Sequence, residues 1–133
     1  MIEIQNRTKS AVNKTRLRKA GEFVLLKENR PDEHVSVALL GETEMKRLNK
    51  MYRDKEYAAN VLSFPGVDGL GEVLLCPSVI RKSAKECGIV TEHEMTRMLV
   101  HGILHLLGYD HEESMANAKL MEKKEEYYMS FFV

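Results

Sequence analysis

The order of apolar patterns predicts an α+β fold: a single domain over residues 1–133, with one sheet of about four strands packed with helices. Three observations lead there. Short segments of period-two alternation and short apolar runs alternate with longer segments of near-3.6 periodicity, in the order β-α-β-α-β-β-α-α-α. No internal repeat, low-complexity tract or Pro/Gly/Ser linker interrupts them, so a second domain has no place to start. The chain has 133 residues and 44% apolar content, enough for one core that buries about two thirds of the unfolded surface.

Ile2 and Ile4 alternate within residues 1–7, which predicts a strand. Val12, Leu17, Ala20, Val24 and Leu25 recur at near-helical intervals, predicting a helix over residues 10–29 that stops before Pro31. Val35, Val37 and Leu39 mark a second strand over 34–40. Met45, Leu48 and Met51 then form one stripe of a helix over 42–52. The apolar runs 60–64 and 72–76 lie between Pro65, Gly66, Gly69, Gly71 and Pro77, and predict two strands joined by a turn. Pro77 suits the start of a helix over 78–87, because the N–H it lacks has no helical partner there, and Gly88 ends that helix. Thr91 and Glu94 have capping-box spacing at the head of a helix over 91–107, which Gly108 stops. A last amphipathic helix over 112–129 would turn Met115, Ala118, Leu120, Met121 and Tyr128 inward.

Lys plus Arg and Asp plus Glu both total 20, so net charge does not mark a nucleic-acid binder. The distribution is uneven. Residues 1–30 hold eight basic side chains against three Glu, and Arg16, Arg18 and Lys19 lie on the first predicted helix, where a polyanion could be steered. Cys76 and Cys87 match no metal knuckle or disulfide framework, which fits a reducing cytoplasm. The opening residues lack a signal-peptide core, and the apolar stretch near 98–107 is too short to span a bilayer, so no membrane association is expected.

The chemistry concentrates in HGILHLLGYDH, residues 101–111. His101 and His105 lie four apart on a helix, so both imidazoles leave one face. Gly108 permits a reversal that brings His111 round as a third nitrogen, leaving a fourth position open, which is the pattern of catalytic rather than structural zinc. With five His in the chain, this spacing arises by chance about 0.007 times, too rarely to be coincidence. Imidazole ligation suits nickel as well as zinc. His34 and His93 have no such company and are read as ordinary residues.

The same spacing resembles that of the metzincin zinc proteases, HExxHxxGxxH, with one departure. Gly102 stands where those enzymes carry the Glu that takes a proton from water. A phosphodiester asks less of its enzyme than a peptide, since metal plus a cationic side chain can stabilise the charge, and this favours RNA as substrate.

HGILHLLGYDH matches the signature HGxLHLxGYDH of the YbeY family at each defined position, and LNKMYRDKEYAANVLSFPG resembles a second family block through Leu48, Asn49, Arg53, Asn60, Val61, Leu62, Ser63, Phe64 and Pro65. GEVLLC resembles its GDI-type strand with Glu72 in place of Asp, Ala59 replaces the usual Thr, and Met121 with Glu125 resembles its M-x-x-x-E. The resemblance spans nearly the whole chain. It implies a single-strand-specific endoribonuclease acting in small-subunit ribosomal RNA 3′-end maturation and ribosome quality control. Zinc would sit on His101, His105 and His111, with Arg53 as principal catalytic residue and ribosomal proteins and an Era-type GTPase as partners. A guanidinium fork holds two phosphate oxygens where Lys would be a point charge. Asn60 would position substrate, and Ser63, lacking a His base in sequence, reads as substrate-binding rather than nucleophilic. Two rivals stay open: a zinc protease on the same scaffold, and a non-catalytic ribosome-assembly factor. So does the choice between water and the RNA 2′-hydroxyl as nucleophile.

Overall fold

Among residues 1–109 and 114–132, which the computed structural model describes, nine elements follow in the expected order. They are β1 (Ile2–Asn6), α1 (Lys14–Lys27), β2 (Val35–Leu39), α2 (Glu42–Arg53), β3 (Val61–Pro65), β4 (Gly71–Leu75), α3 (Pro77–Glu86), α4 (Thr91–Leu106) and α5 (Met115–Met129). The four strands form one mixed sheet in the order β1-β2-β4-β3. β1, β2 and β4 run parallel, with Ile4 opposite Val37 and Val37 opposite Val73, while β3 pairs antiparallel with β4, Ser63 opposite Val73. This leaves β3 as an edge strand.

Alternation decides what each face of the sheet carries. Val35, Val37, Leu39, Val73 and Leu75 join the core shared with α1 and α4, whereas Ala38, Leu40, Leu74 and Cys76 join Leu62 and Met45 of α2 in a second cluster. Leu99, Val100, Ile103 and Leu104 of α4 are fully buried, and each contributes about 1.5–3 kcal/mol relative to exposure. α4 rests on β3 and β4, and α1 packs beside it over β1. The first helix is therefore separated from the β3 edge by α4. No helix of the described residues is long and apolar enough to cross a membrane.

Local competition moves several boundaries. α1 begins at Lys14 rather than residue 10, because Asn6 accepts from Thr8 N and donates to the Ser10 carbonyl, holding those residues in a side-chain-stabilised turn. Asn13 then caps the helix by accepting from Arg16 N (3.0 Å). The capping box at Thr91 does not form. Val90 takes the cap position, and the Glu94 carboxylate is held instead by Arg97 at 2.7 and 2.8 Å. In α2 the buried position after Met45 is Asn49, and Met51 is 60% exposed. Met115 and Leu120 of α5 face outward, and Met121, Tyr128 and Met129 supply its buried side. Ser114 caps α5 by accepting from Asn117 N; residues 112–113, where that helix was expected to start, lie outside the described residues.

A buried carboxylate ties three segments together. Glu28, just past α1, accepts from the Tyr109 hydroxyl (2.6 Å), Lys124 Nζ (3.0 Å) and the Tyr128 hydroxyl, and its side chain is 9% exposed. Burial alone would raise its pKa, but the three donors outweigh burial and hold the group below its ordinary value. Its contribution is therefore complete at pH values above the ordinary carboxylate range and disappears as pH falls through the lowered folded value. Glu28→Gln is expected to cost about 1 kcal/mol in urea denaturation at pH 7. The difference from the parent should close as the medium is acidified below pH ~4. A gap of constant size across that range would remove Glu28 from the acid response.

Candidate functional site

The edge strand and α4 border a cleft of about 550 Å³, lined by Tyr52 and Arg53 at the end of α2, residues 60–65, and His101, His105 and Leu106 of α4. Arg53 owes its place to how α2 ends. Asp54 takes a left-handed conformation (φ 55°) and donates its N–H to the Lys50 carbonyl at 3.1 Å. Asn49, fully buried, donates from Nδ2 to the Tyr57 carbonyl at 2.8 Å, so the connection folds back over the helix end into β3. A cation in the last helical turn is also favoured by the helix dipole. Tyr52 packs edge-on against Phe64 of β3, centroids 5.1 Å apart, joining the two walls next to Arg53.

Helical spacing brings His101 and His105 together as expected, with ring centroids 4.8 Å apart and planes at 73°. Gly108 (φ 104°) then reverses the chain: its N–H reaches the His105 carbonyl (3.0 Å) and that of Tyr109 reaches Leu104 (3.1 Å), a Schellman closure. His111, the third predicted ligand, lies outside the described residues, as do Asp110, Glu112 and Glu113. Among the described residues, no third His, Cys, Asp or Glu joins the pair in a cluster able to hold an ion.

Gly102 explains why the protease carboxylate has no counterpart here. A Cβ at this position would lie 2.7 Å from Val73 Cγ1 and 3.1 Å from Ser63 Oγ, so residue 102 faces the sheet rather than the cleft. Gly102→Ala is expected to lower stability by about 1 kcal/mol, because overpacking against the stiff, fully buried Val73 exceeds the gain in helix propensity. Gly102→Glu should fail to fold. Denaturant midpoints would check both, and an unmoved midpoint for the Ala variant would mean that Val73 yields.

Ser63 and Asn60 line the cleft but spend polar atoms on architecture. Ser63 Oγ donates to the Gly102 carbonyl at 3.1 Å, and Asn60 donates to Met98 Sδ at 3.1 Å while accepting from Val61 N. Both tie β3 to α4 or fix the strand's entry. Ala59 is buried in the apolar cluster of α2, and Glu72 is exposed on β4. Arg16, Arg18 and Lys19 are not at the cleft, since α1 lies across α4 from β3. Arg16 is moreover engaged in structure, donating to Thr96 Oγ1 (3.1 Å) and the Phe132 carbonyl (2.7 Å).

Sequence reasoning missed the partner of His101. Glu125 of α5, with its side chain 12% exposed, meets His101 Nδ1 at 2.5 Å. The only signal was its place in the M-x-x-x-E resemblance. A carboxylate on one ring nitrogen is how metal-ligating imidazoles are commonly oriented, with the other ring nitrogen as the ligating atom. Paired imidazoles on the cleft wall, one of them backed by a buried carboxylate, fit a zinc or nickel ion.

Comparison with known proteins places the chain in a family. The family model described as Endoribonuclease YbeY matches residues 2–133. A protein of that name from Bdellovibrio bacteriovorus is 42% identical over 96 residues, covering 71% of this chain and 64% of the relative. Another from Aquifex aeolicus is 36% identical over 128 residues, covering 92% and 85%. The solution structure of TM1509 from Thermotoga maritima superposes with a TM-score of 0.71 at 35% identity, covering 97% of this chain and 87% of that one. With a family match over nearly its full length and the same fold in a relative of this similarity, the chain belongs to the YbeY family.

Proposed function

We propose that the cleft is the active site of a metal-dependent endoribonuclease that cuts single-stranded RNA in ribosomal RNA processing, chiefly at the 3′ end of the small-subunit species. One observation carries this reading: Arg53 and the imidazoles of His101 and His105, from separate elements, line the same cleft. The relatives' name supplies the substrate class. His101 and His105, with His111, would hold zinc or, as imidazole chemistry allows, nickel. When bound, the ion supplies Lewis acidity toward a phosphoryl oxygen.

The remaining work falls to the chain itself. The Arg53 guanidinium offers parallel N–H donors to two phosphate oxygens and neutralises charge that builds during displacement. Tyr52 beside it provides an aromatic face for an unstacked base, the usual means of gripping single strands. A cleft bounded by an edge strand and one helix suits one strand better than a duplex. The same reading places the protein in the cytoplasm, in ribosome quality control, with small-subunit ribosomal proteins and an Era-type GTPase as partners.

The test is digestion of end-labelled single-stranded RNA, duplex RNA and an unfolded polypeptide, with and without a chelator, followed by end mapping. Chelator-sensitive internal cuts in the single strand alone are expected. Cleavage of the polypeptide would instead establish the protease, which Gly102 disfavours, and RNA binding without cuts would establish an assembly factor.

A further inference from the structure

We propose that Glu94, Arg97 and Glu125 form a relay that orients His101 for metal ligation, which makes Arg97 a positioning residue although it lies off the cleft. The proposal rests on the reading of His101 as a ligand. Glu94, Arg97 and His101 recur at i, i+3 and i+7, so they lie along one side of α4, and Glu125 reaches that side from α5. The two oxygens of Glu125 are divided between neighbours: Oε1 meets His101 Nδ1 at 2.5 Å, and Oε2 meets Arg97 Nη1 at 3.5 Å.

Arg97 is itself locked from behind. Its Nε and Nη2 donate to Glu94 Oε1 and Oε2 at 2.7 and 2.8 Å, a bidentate fork, and the Glu94 side chain is only 5% exposed. A buried carboxylate with no local cap to serve would be costly, and here it is matched to a planar cation whose remaining edge points to Glu125. Glu125 held on one oxygen cannot rotate without breaking a charged contact, so its other oxygen stays aimed at Nδ1. That contact makes Nδ1 the protonated nitrogen and leaves Nε2 for the ion.

The test uses Glu125→Gln, Arg97→Gln, the conservative Arg97→Lys and the Arg97→Gln/Glu125→Gln pair. Zinc affinity is measured by competition with a chromophoric chelator, and the His101 tautomer is read from ring ¹⁵N shifts in the metal-free protein. Glu125→Gln is expected to weaken zinc binding roughly 10–100-fold, and Arg97→Gln roughly 3–10-fold, both with a loss of the Nδ1–H form. The pair should bind no more weakly than Glu125→Gln alone, because Arg97 acts through Glu125. Arg97→Lys keeps the charge without the fork and should fall between the parent and Arg97→Gln. Should Glu125→Gln fail to fold, Glu125→Asp, one methylene shorter, carries the same expectation. An unmoved tautomer in Arg97→Gln, or additive losses in the pair, would overturn the relay while leaving the nuclease reading in place. Undiminished zinc affinity in His101→Ala would overturn both.

Discussion

Replacing Arg53 with Ala is expected to lower cleavage of single-stranded RNA about a thousandfold while leaving zinc content and the unfolding midpoint near those of the parent. The size of the effect follows from what the guanidinium does. In the proposed mechanism its two donors meet phosphate oxygens whose charge grows during displacement, so most of its interaction energy would appear in the transition state rather than in ground-state binding. The loss should therefore fall mainly on kcat. Stability should hardly change, because Arg53 is an exposed residue at a helix end, where substitutions usually stay within about 0.5 kcal/mol. Arg53→Lys should recover only part of the rate, since a point charge cannot reproduce the fork. Trace nucleases imitate weak activity, so variant and parent are purified side by side. An undiminished rate in Arg53→Ala would remove this residue from the mechanism.

His105→Ala has the second largest expected effect, and its readout is metal rather than turnover. Loss of one of the three proposed imidazole ligands should weaken zinc binding by more than about 100-fold, beyond the cost of removing an outer partner. Elemental analysis of the purified variant should find less than one zinc per chain. A second signature comes from linkage: zinc at a hundredfold excess over its Kd stabilises the parent by about 2.7 kcal/mol, and this zinc-dependent rise in Tm should vanish in the variant. His105 lies on the cleft wall rather than in the core, so the metal-free fold should persist. Full zinc occupancy in folded His105→Ala would exclude it from the ligand set.

Several errors in reading the sequence share a cause. Thr91 and Glu94 have the spacing of a capping box, yet Glu94 is drawn to Arg97, whose two charged hydrogen bonds outweigh one backbone cap. Met51 looked like a core residue by period alone, but Asn49 is the α2 side chain taken inward, where it holds the connection after Arg53. A different matter is the basic stretch of α1: its residues could be counted in the sequence, but where that helix lies relative to the cleft depends on strand order, which places β1 and β3 at opposite edges of the sheet.

Local chemistry was legible where neighbours along the chain act on one another: strand alternation, the glycine stop after α4, and two imidazoles one turn apart on a helix. These depend on backbone periods of two and 3.6 residues, which any stretch of sequence carries within itself. Tertiary structure alone decided what crosses between elements. It brought Arg53 from the end of α2 onto the cleft that His101 and His105 line, set Gly102 against Val73, and supplied Glu125 from α5 to the back of His101. Such meetings follow from which faces pack together to bury apolar surface, and that outcome belongs to the whole chain at once.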